Sequence, residues 1–217
     1  MVLQSTEMVR KDAMLTLVTP TDSPVLLYGK RQGEWTAEDW EALPEDDNIY
    51  EIIEGILYMS TAPSHFHQYI LKRLYRYWGI PAEDAGYVSV DFSPIGVILP
   101  GEEPVQPDLV AVRTERKSII HDRRIRGVPD LIVEIVSPSN TTYDEEIKYR
   151  AYERAGVPEY GIIYPATRTM RLLSLSKDGR YMLVGRYSER DTVSFACAPD
   201  ISFVVGKLFD GAPDTTL

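Results

Sequence analysis

The feature that most constrains the fold is residues 131–136, Leu131-Ile132-Val133-Glu134-Ile135-Val136, which are apolar on both faces except for one carboxylate. Strand side chains alternate between two faces, so a segment of this kind has to be covered on both sides. A stretch with helix punctuation follows: Thr142 and Glu145 have capping-box spacing, and Gly156 with Pro158 ends the helix about four turns later. Another buried strand, over 160–164, comes next. Strand, helix and strand in this order predict a crossover between neighbouring parallel strands, and with it an α/β domain.

Residues 1 to about 30 show no clear period and contain Pro20 and Pro24, which reads as an N-terminal arm. Thr36 with Asp39 predicts the cap of a short helix through Leu43, 44–48 a turn, and 49–60 a strand pair or bulged strand that is irregular at Gly55. A longer helix begins at Ser64 with the stripe Phe66, Ile70, Leu74 and Tyr77 or Trp78, and Gly79 and Pro81 are expected to stop it. Residues 87–92 and 97–99 read as strands around Ser93-Pro94. Residues 109–112 form a short apolar strand entered through Gln106-Pro107-Asp108. Residues 170–175, 181–187 and 193–197 predict a meander with an Asp178-Gly179 turn. The division is an arm over 1–30, a single domain over 31–205 and a tail over 206–217.

A chain of 217 residues, 44% hydrophobic, can bury one sizeable core. No apolar run approaches the roughly 20 residues of a membrane-spanning helix. Glu7, Arg10, Lys11 and Asp12 leave no apolar stretch for a secretory signal, so the expectation is a cytoplasmic protein with no membrane partner. The single cysteine, Cys197, excludes an internal disulfide and a thiolate zinc cluster and reads as a buried strand residue. A net charge of −10 argues against a protein that coats nucleic acid, while leaving room for a local grip on phosphate. The charge is unevenly spread. Between Arg31 and Lys72 there is no Lys or Arg, whereas 113–126 carry Arg113, Arg116, Lys117, Arg123, Arg124 and Arg126 against Glu115 and Asp122.

Glu134 carries the most chemical information, because an ionised carboxylate in an apolar strand is costly unless a proton, a cation or a metal compensates it. The bland alternative is a half-solvated strand end paired with an arginine. Asp108, opening its own apolar strand, is the natural second carboxylate, although alone it reads as a turn residue. Two acidic positions on neighbouring strands suit magnesium, which takes one or two carboxylates, several waters and phosphate oxygens. Lys148, on the helix after Glu134, flanks that helix's buried face. Its competing reading is a solvent-exposed pair with Asp144, and as an exposed lysine it could be replaced with little loss of stability. His65 and His67 lack a His-Glu-x-x-His pattern, which excludes the zinc-protease reading.

Tyr50-Glu51-Ile52-Ile53-Glu54-Gly55, Ala62-Pro63-Ser64 with His67, Gln106-Pro107-Asp108, Val133-Glu134-Ile135-Val136-Ser137-Pro138-Ser139, Asp144 with Lys148, and Gly156-Val157-Pro158-Glu159-Tyr160 occur in this order. Together they resemble the Uma-two family of putative restriction endonucleases, over about 35–164 and more loosely to about 205. The resemblance implies a restriction-endonuclease-like core, a mixed central sheet flanked by helices with extra N-terminal and C-terminal strands, and a nuclease site of the PD-(D/E)xK type. Asp108 and Glu134 match its acidic positions and would hold Mg2+ or Mn2+. The lysine position two residues beyond Glu134 holds Val136, and the resemblance suggests Lys148 as its substitute. Glu51 and His67 match as well. Glu51 would be a carboxylate near the metal or a ligand of a second ion, and His67 would contact phosphate or Glu51.

The expected function is a magnesium-dependent endonuclease hydrolysing DNA phosphodiester bonds, with Arg123, Arg124 and Arg126 on the phosphate backbone. The alternative is a nuclease-shaped nucleic-acid-binding or regulatory module with weak catalysis or none. The reading accommodates a homodimer.

Overall fold

The computed structural model describes residues 14–18, 24–28, 30–43, 48–137 and 142–212. The N-terminal stretch expected as an arm contains a hairpin, β1 (Met14–Val18) and β2 (Pro24–Tyr28), which joins the body through a parallel Val18–Tyr58 pairing. Helix α1 (Ala37–Glu41) is capped as expected, with the Thr36 side chain accepting from the Asp39 amide and the Asp39 carboxylate accepting from the Thr36 amide. The expected turn at 44–48 lies outside the described residues up to position 47. Beyond it, β3 (Ile49–Ile53) and β4 (Ile56–Ser60) form a hairpin that turns at Glu54-Gly55.

Helix α2 (His65–Leu74) begins where Ser64 accepts from the His67 amide. Gly79 and Pro81 do not stop it. The helical path continues through a π-helical turn, Tyr75–Gly79, into α3 (Ile80–Asp84), with Pro81 in the first turn of α3. Gly79 is needed there for space: a Cβ at this position would lie 2.3 Å from the Tyr75 ring.

Four short strands, β5 (Val88–Phe92), β6 (Gly96–Leu99), β7 (Glu103–Val105) and β8 (Leu109–Arg113), precede β9 (Arg124–Arg126) and the central strand β10 (Leu131–Ile135). A π-helical turn over Tyr143–Lys148 then leads into α4 (Tyr149–Ala155), which Gly156 ends in a left-handed conformation. The expected capping box is absent. Thr142 already has helical dihedral angles and makes no side-chain cap, and Glu145 turns to Arg171 and Tyr164 instead. The chain closes with β11 (Glu159–Tyr164), β12 (Thr169–Leu175), β13 (Tyr181–Tyr187), β14 (Thr192–Phe195) and β15 (Ala198–Val204).

The central sheet has the order β13-β12-β11-β10-β8-β5. β10 and β11 are its parallel pair, joined by the α4 crossover, and the remaining neighbours run antiparallel. The expected meander therefore covers β11 to β13, while β14 leaves the sheet to pair with β15. Cys197 is buried as expected but sits in the turn between those two strands.

Alternation along β10 divides the core. Leu131, Val133 and Ile135 pack beneath α2, α3 and the β14–β15 pair, where Trp78 meets Phe195 edge-on at 4.8 Å. Ile132 and Val136 face α4 and a small sheet of β7, β6 and β9. The body extends past the expected boundary at 205, because Leu208 and Phe209 are buried in the first of these cores. No helix among the described residues is long and apolar enough to cross a membrane.

Candidate active site

The same alternation that sends Ile132 and Val136 toward α4 sends the Glu134 side chain there too. In the β8–β10 ladder Val133 pairs with Leu109, so one step further along Asp108 stands opposite Glu134. The Asp108 amide lies 3.4 Å from Glu134 Oε2, and the Ile135 amide donates to Asp108 Oδ2 at 2.8 Å. Each carboxylate thus meets a backbone amide of the opposite strand as the ladder ends.

Lys148 closes this arrangement from the helix side. Its Nζ lies 2.9 Å from Glu134 Oε1, 3.1 Å from Glu51 Oε2 and 4.0 Å from Asp144 Oδ1. The exposed-pair reading of Lys148 and Asp144 is therefore overturned, since both residues are buried at 5% exposure. The arginine partner considered for Glu134 is this lysine instead. Tyr152 also donates to Glu134 Oε1, at 2.7 Å.

Glu51 is buried. Its Oε1 accepts from the Gln106 amide at 2.8 Å, and Oε2 accepts from Tyr143 at 2.9 Å as well as from Lys148. Both oxygens are thus engaged, and Glu51 anchors the lysine. His67 meets neither Glu51 nor a position beyond the carboxylates; its Nε2 lies 2.9 Å from Asp108 Oδ2.

The electrostatics follow from crowding. Burial pushes Glu134 up to about 7; Lys148 opposes this, while Asp108 and Glu51 add to it. Burial likewise carries Asp144 well above the carboxylate range. Burial works against ionised Asp108, yet the hydrogen bond and charge of His67, with the charge of Lys148, hold it below its ordinary value. Burial opposes charge on His67 and Lys148 too, and the surrounding carboxylates outweigh it at both. Four carboxylates therefore gather around one lysine and one histidine, which leaves the centre short of positive charge.

Arg123, Arg124 and Arg126 are not brought to this centre by any contact among the described residues. Arg124 and Arg126 pair with Glu41, and Arg124 also lies over the Trp40 ring, so the acidic stretch before residue 54 neutralises part of the basic run. Arg113 and Arg116 similarly bind Asp130, leaving Arg123 exposed.

A family profile described as putative restriction endonuclease, Uma2, matches residues 37–206. The chain belongs to the Uma2 family. A search among curated proteins found no match. Among solved structures, that of a putative nuclease of DUF820 from Anabaena variabilis aligns with a TM-score of 0.68 and 16% identity, covering 81% of this chain and 97% of that one. At that identity the likeness concerns the fold, and it bears out the nuclease-like α/β architecture expected from the sequence. Uma2 membership also fits the order of the motifs.

Tyr143, Tyr152 and the Gln106 amide belong to the site as well, although sequence reasoning did not select them for it. Tyr143 and Lys148 are five residues apart, which helical periodicity places on different faces. The π-helical turn, bonded i to i+5, brings them together.

Proposed function

We propose that this Uma2 protein is a metal-dependent nuclease that hydrolyses phosphodiester bonds in DNA. The observation that carries the reading is the pairing of Asp108 with Glu134 across two strand ends, with Lys148 held against Glu134.

A hard divalent cation suits this donor set. Among the described residues no donor is directed at Asp108 Oδ1, and Glu134 Oε2 meets only the 3.4 Å amide contact. No group of three or more His, Cys, Asp or Glu among the described residues is placed to hold a metal ion, so a cation here would have these two carboxylates as its protein ligands and take the rest of its shell from water and phosphate oxygens. Magnesium or manganese bound there would polarise the scissile phosphate and lower the pKa of an attacking water.

The protein's own groups supply the rest. His67 and the Ile135 amide hold Asp108 Oδ2 and leave Oδ1 without a donor among the described residues. Tyr152 and Lys148 hold Glu134 Oε1 and leave Oε2 toward Asp108. Glu51, fixed by Tyr143 and the Gln106 amide, keeps Lys148 within reach of the carboxylates, where its charge can orient water and offset charge developing on the phosphate.

The test incubates supercoiled plasmid with magnesium, with manganese and with EDTA. Metal-dependent nicking by the wild type that is lost in Glu134→Gln supports the reading. Equal nicking by the two proteins, or nicking that survives EDTA, overturns it.

A further inference from the structure

The chain is strongly acidic overall, yet from Gly55 to Ala82 it contains no Asp or Glu. That stretch includes α2 and the π-helical turn after it, and its cations are Lys72, Arg73 and Arg76. With Tyr69 and His65 they follow one helical face at spacings of three and four residues. His65, Lys72 and Arg76 are exposed.

The face is built to hold positive charge. Arg73 lies between the rings of Tyr69 and Tyr77, 5.6 and 5.0 Å from their centroids. Its guanidinium donates to the Lys207 and Asp210 carbonyls at 3.0 and 3.1 Å, which fixes its position without neutralising it. Lys72 lies 5.3 Å over the Tyr69 ring. Among the described residues no carboxylate lies within 4 Å of the Lys72, Arg73 or Arg76 side-chain nitrogens; the nearby Asp210 carboxylate pairs with Lys207. The basic run at 113–126 differs, because four of its arginines already have carboxylate partners.

The helix that carries this face starts beside the site, with His67 projecting from its opposite, buried side. His67, in the first turn of α2, bonds Asp108. The side chains of His67 and Asp108 are 10% and 17% exposed, against 3–6% for Glu134, Glu51 and Lys148, so solvent reaches the centre beside the start of α2. From His65 to Arg76 the helix rises about 16 Å at 1.5 Å per residue, comparable with about five phosphates of one strand at 3.4 Å each.

We propose that the α2 face carrying Lys72, Arg73 and Arg76 holds the phosphate backbone of duplex DNA and leads one strand to Asp108. The contact is to phosphate, so it positions substrate without reading its sequence. This inference rests on the nuclease reading for its choice of partner.

The test measures fluorescence anisotropy of a labelled 20-base-pair duplex in EDTA over a series of salt concentrations. The proteins are wild type, Lys72→Gln/Arg76→Gln, and a control with the same charge change at exposed positions elsewhere, Lys177→Gln/Arg190→Gln. The α2 variant is expected to bind more weakly, with a log-affinity against log-salt slope smaller by about two, while the control follows the wild type. Equal affinity and slope in the α2 variant and wild type would overturn the surface while leaving metal-dependent nicking, and so the nuclease reading, intact. Selective loss of binding in the α2 variant, with no protein nicking plasmid in either metal, would support the surface and overturn the nuclease reading. Failure of the wild type both to bind duplex at low salt and to nick would overturn both.

Discussion

Replacing Lys148 with methionine tests the candidate site most severely, because structure and sequence predict opposite outcomes for stability. An exposed helix lysine could be changed within about 0.5 kcal/mol. The lysine observed is buried, with Glu134 at 2.9 Å, Glu51 at 3.1 Å and Asp144 at 4.0 Å. Methionine fills much of the same volume but leaves those carboxylates facing one another without a cation. Breaking a buried ion pair by removing one partner costs about 3–5 kcal/mol. In a chain of this length each kcal/mol lowers Tm by about 2–4 °C, so the expected loss at pH 8 is about 6–20 °C. The pH dependence has a definite sign. Glu134 is already raised from 4.5 to about 7 in the folded protein, so the folded state binds more protons than the unfolded state across that window, and stability falls as pH rises through it. Without the lysine the window extends further upward, which makes the deficit smaller at pH 5 than at pH 8. Adding Glu134→Gln to Lys148→Met should restore part of the loss, because one uncompensated carboxylate is gone. Thermal melts at the two pH values decide the matter. A Lys148→Met protein that melts within about 2 °C of wild type at pH 8 would refute the buried-cation argument.

Manganese should raise the melting temperature of the wild type but not of Asp108→Asn, and its affinity by calorimetry should be greater at pH 8 than at pH 6, because Glu134, raised to about 7, must lose its proton to bind a cation. Equal affinity at both pH values would remove Glu134 from the metal site. Gly79→Ala should destabilise by about 1–3 kcal/mol in urea denaturation, since the new Cβ displaces the Tyr75 ring from Phe92 and its hydroxyl from Glu83. A gain in stability, as alanine's helix propensity alone would give, would show that the ring moves aside freely.

The parts of this fold legible in the sequence were those written in short-range pattern. The Thr36 cap, the Ser64 helix start, the Gly156 stop and the apolar strands around 109–112 and 131–136 each depend on neighbouring residues, and each is found. The carboxylate pairing was accessible because Glu134 lies within one apolar strand and Asp108 immediately precedes the other, and the apolar residues fix the register between them. Long-range geometry was less accessible. Gly79 and Pro81 look like a helix stop unless the Tyr75 ring packed over Gly79 is known. Thr142 and Glu145 satisfy a capping pattern, but Glu145 finds Arg171 from a distant strand. The partners of Arg124 and Arg126 likewise come from α1, far away in sequence.

The π-helical turn at Tyr143–Lys148 gives the protein a degree of freedom that a strand-borne lysine lacks. Two groups on one strand are separated by covalent steps, and their spacing is a constant of the backbone. Here Glu134 belongs to the sheet and Lys148 to a helix, so their separation is a packing coordinate, governed by how Ala151 and Tyr152 rest on Tyr160 and Ile162. Packed helices shift by about 1–2 Å in known switching transitions, and the same scale is the relevant one for α4. A slide of that size takes a 2.9 Å contact out of hydrogen-bonding range and leaves the two strand carboxylates where they were. Substitutions on the far side of α4 can therefore tune the ammonium independently of the acids.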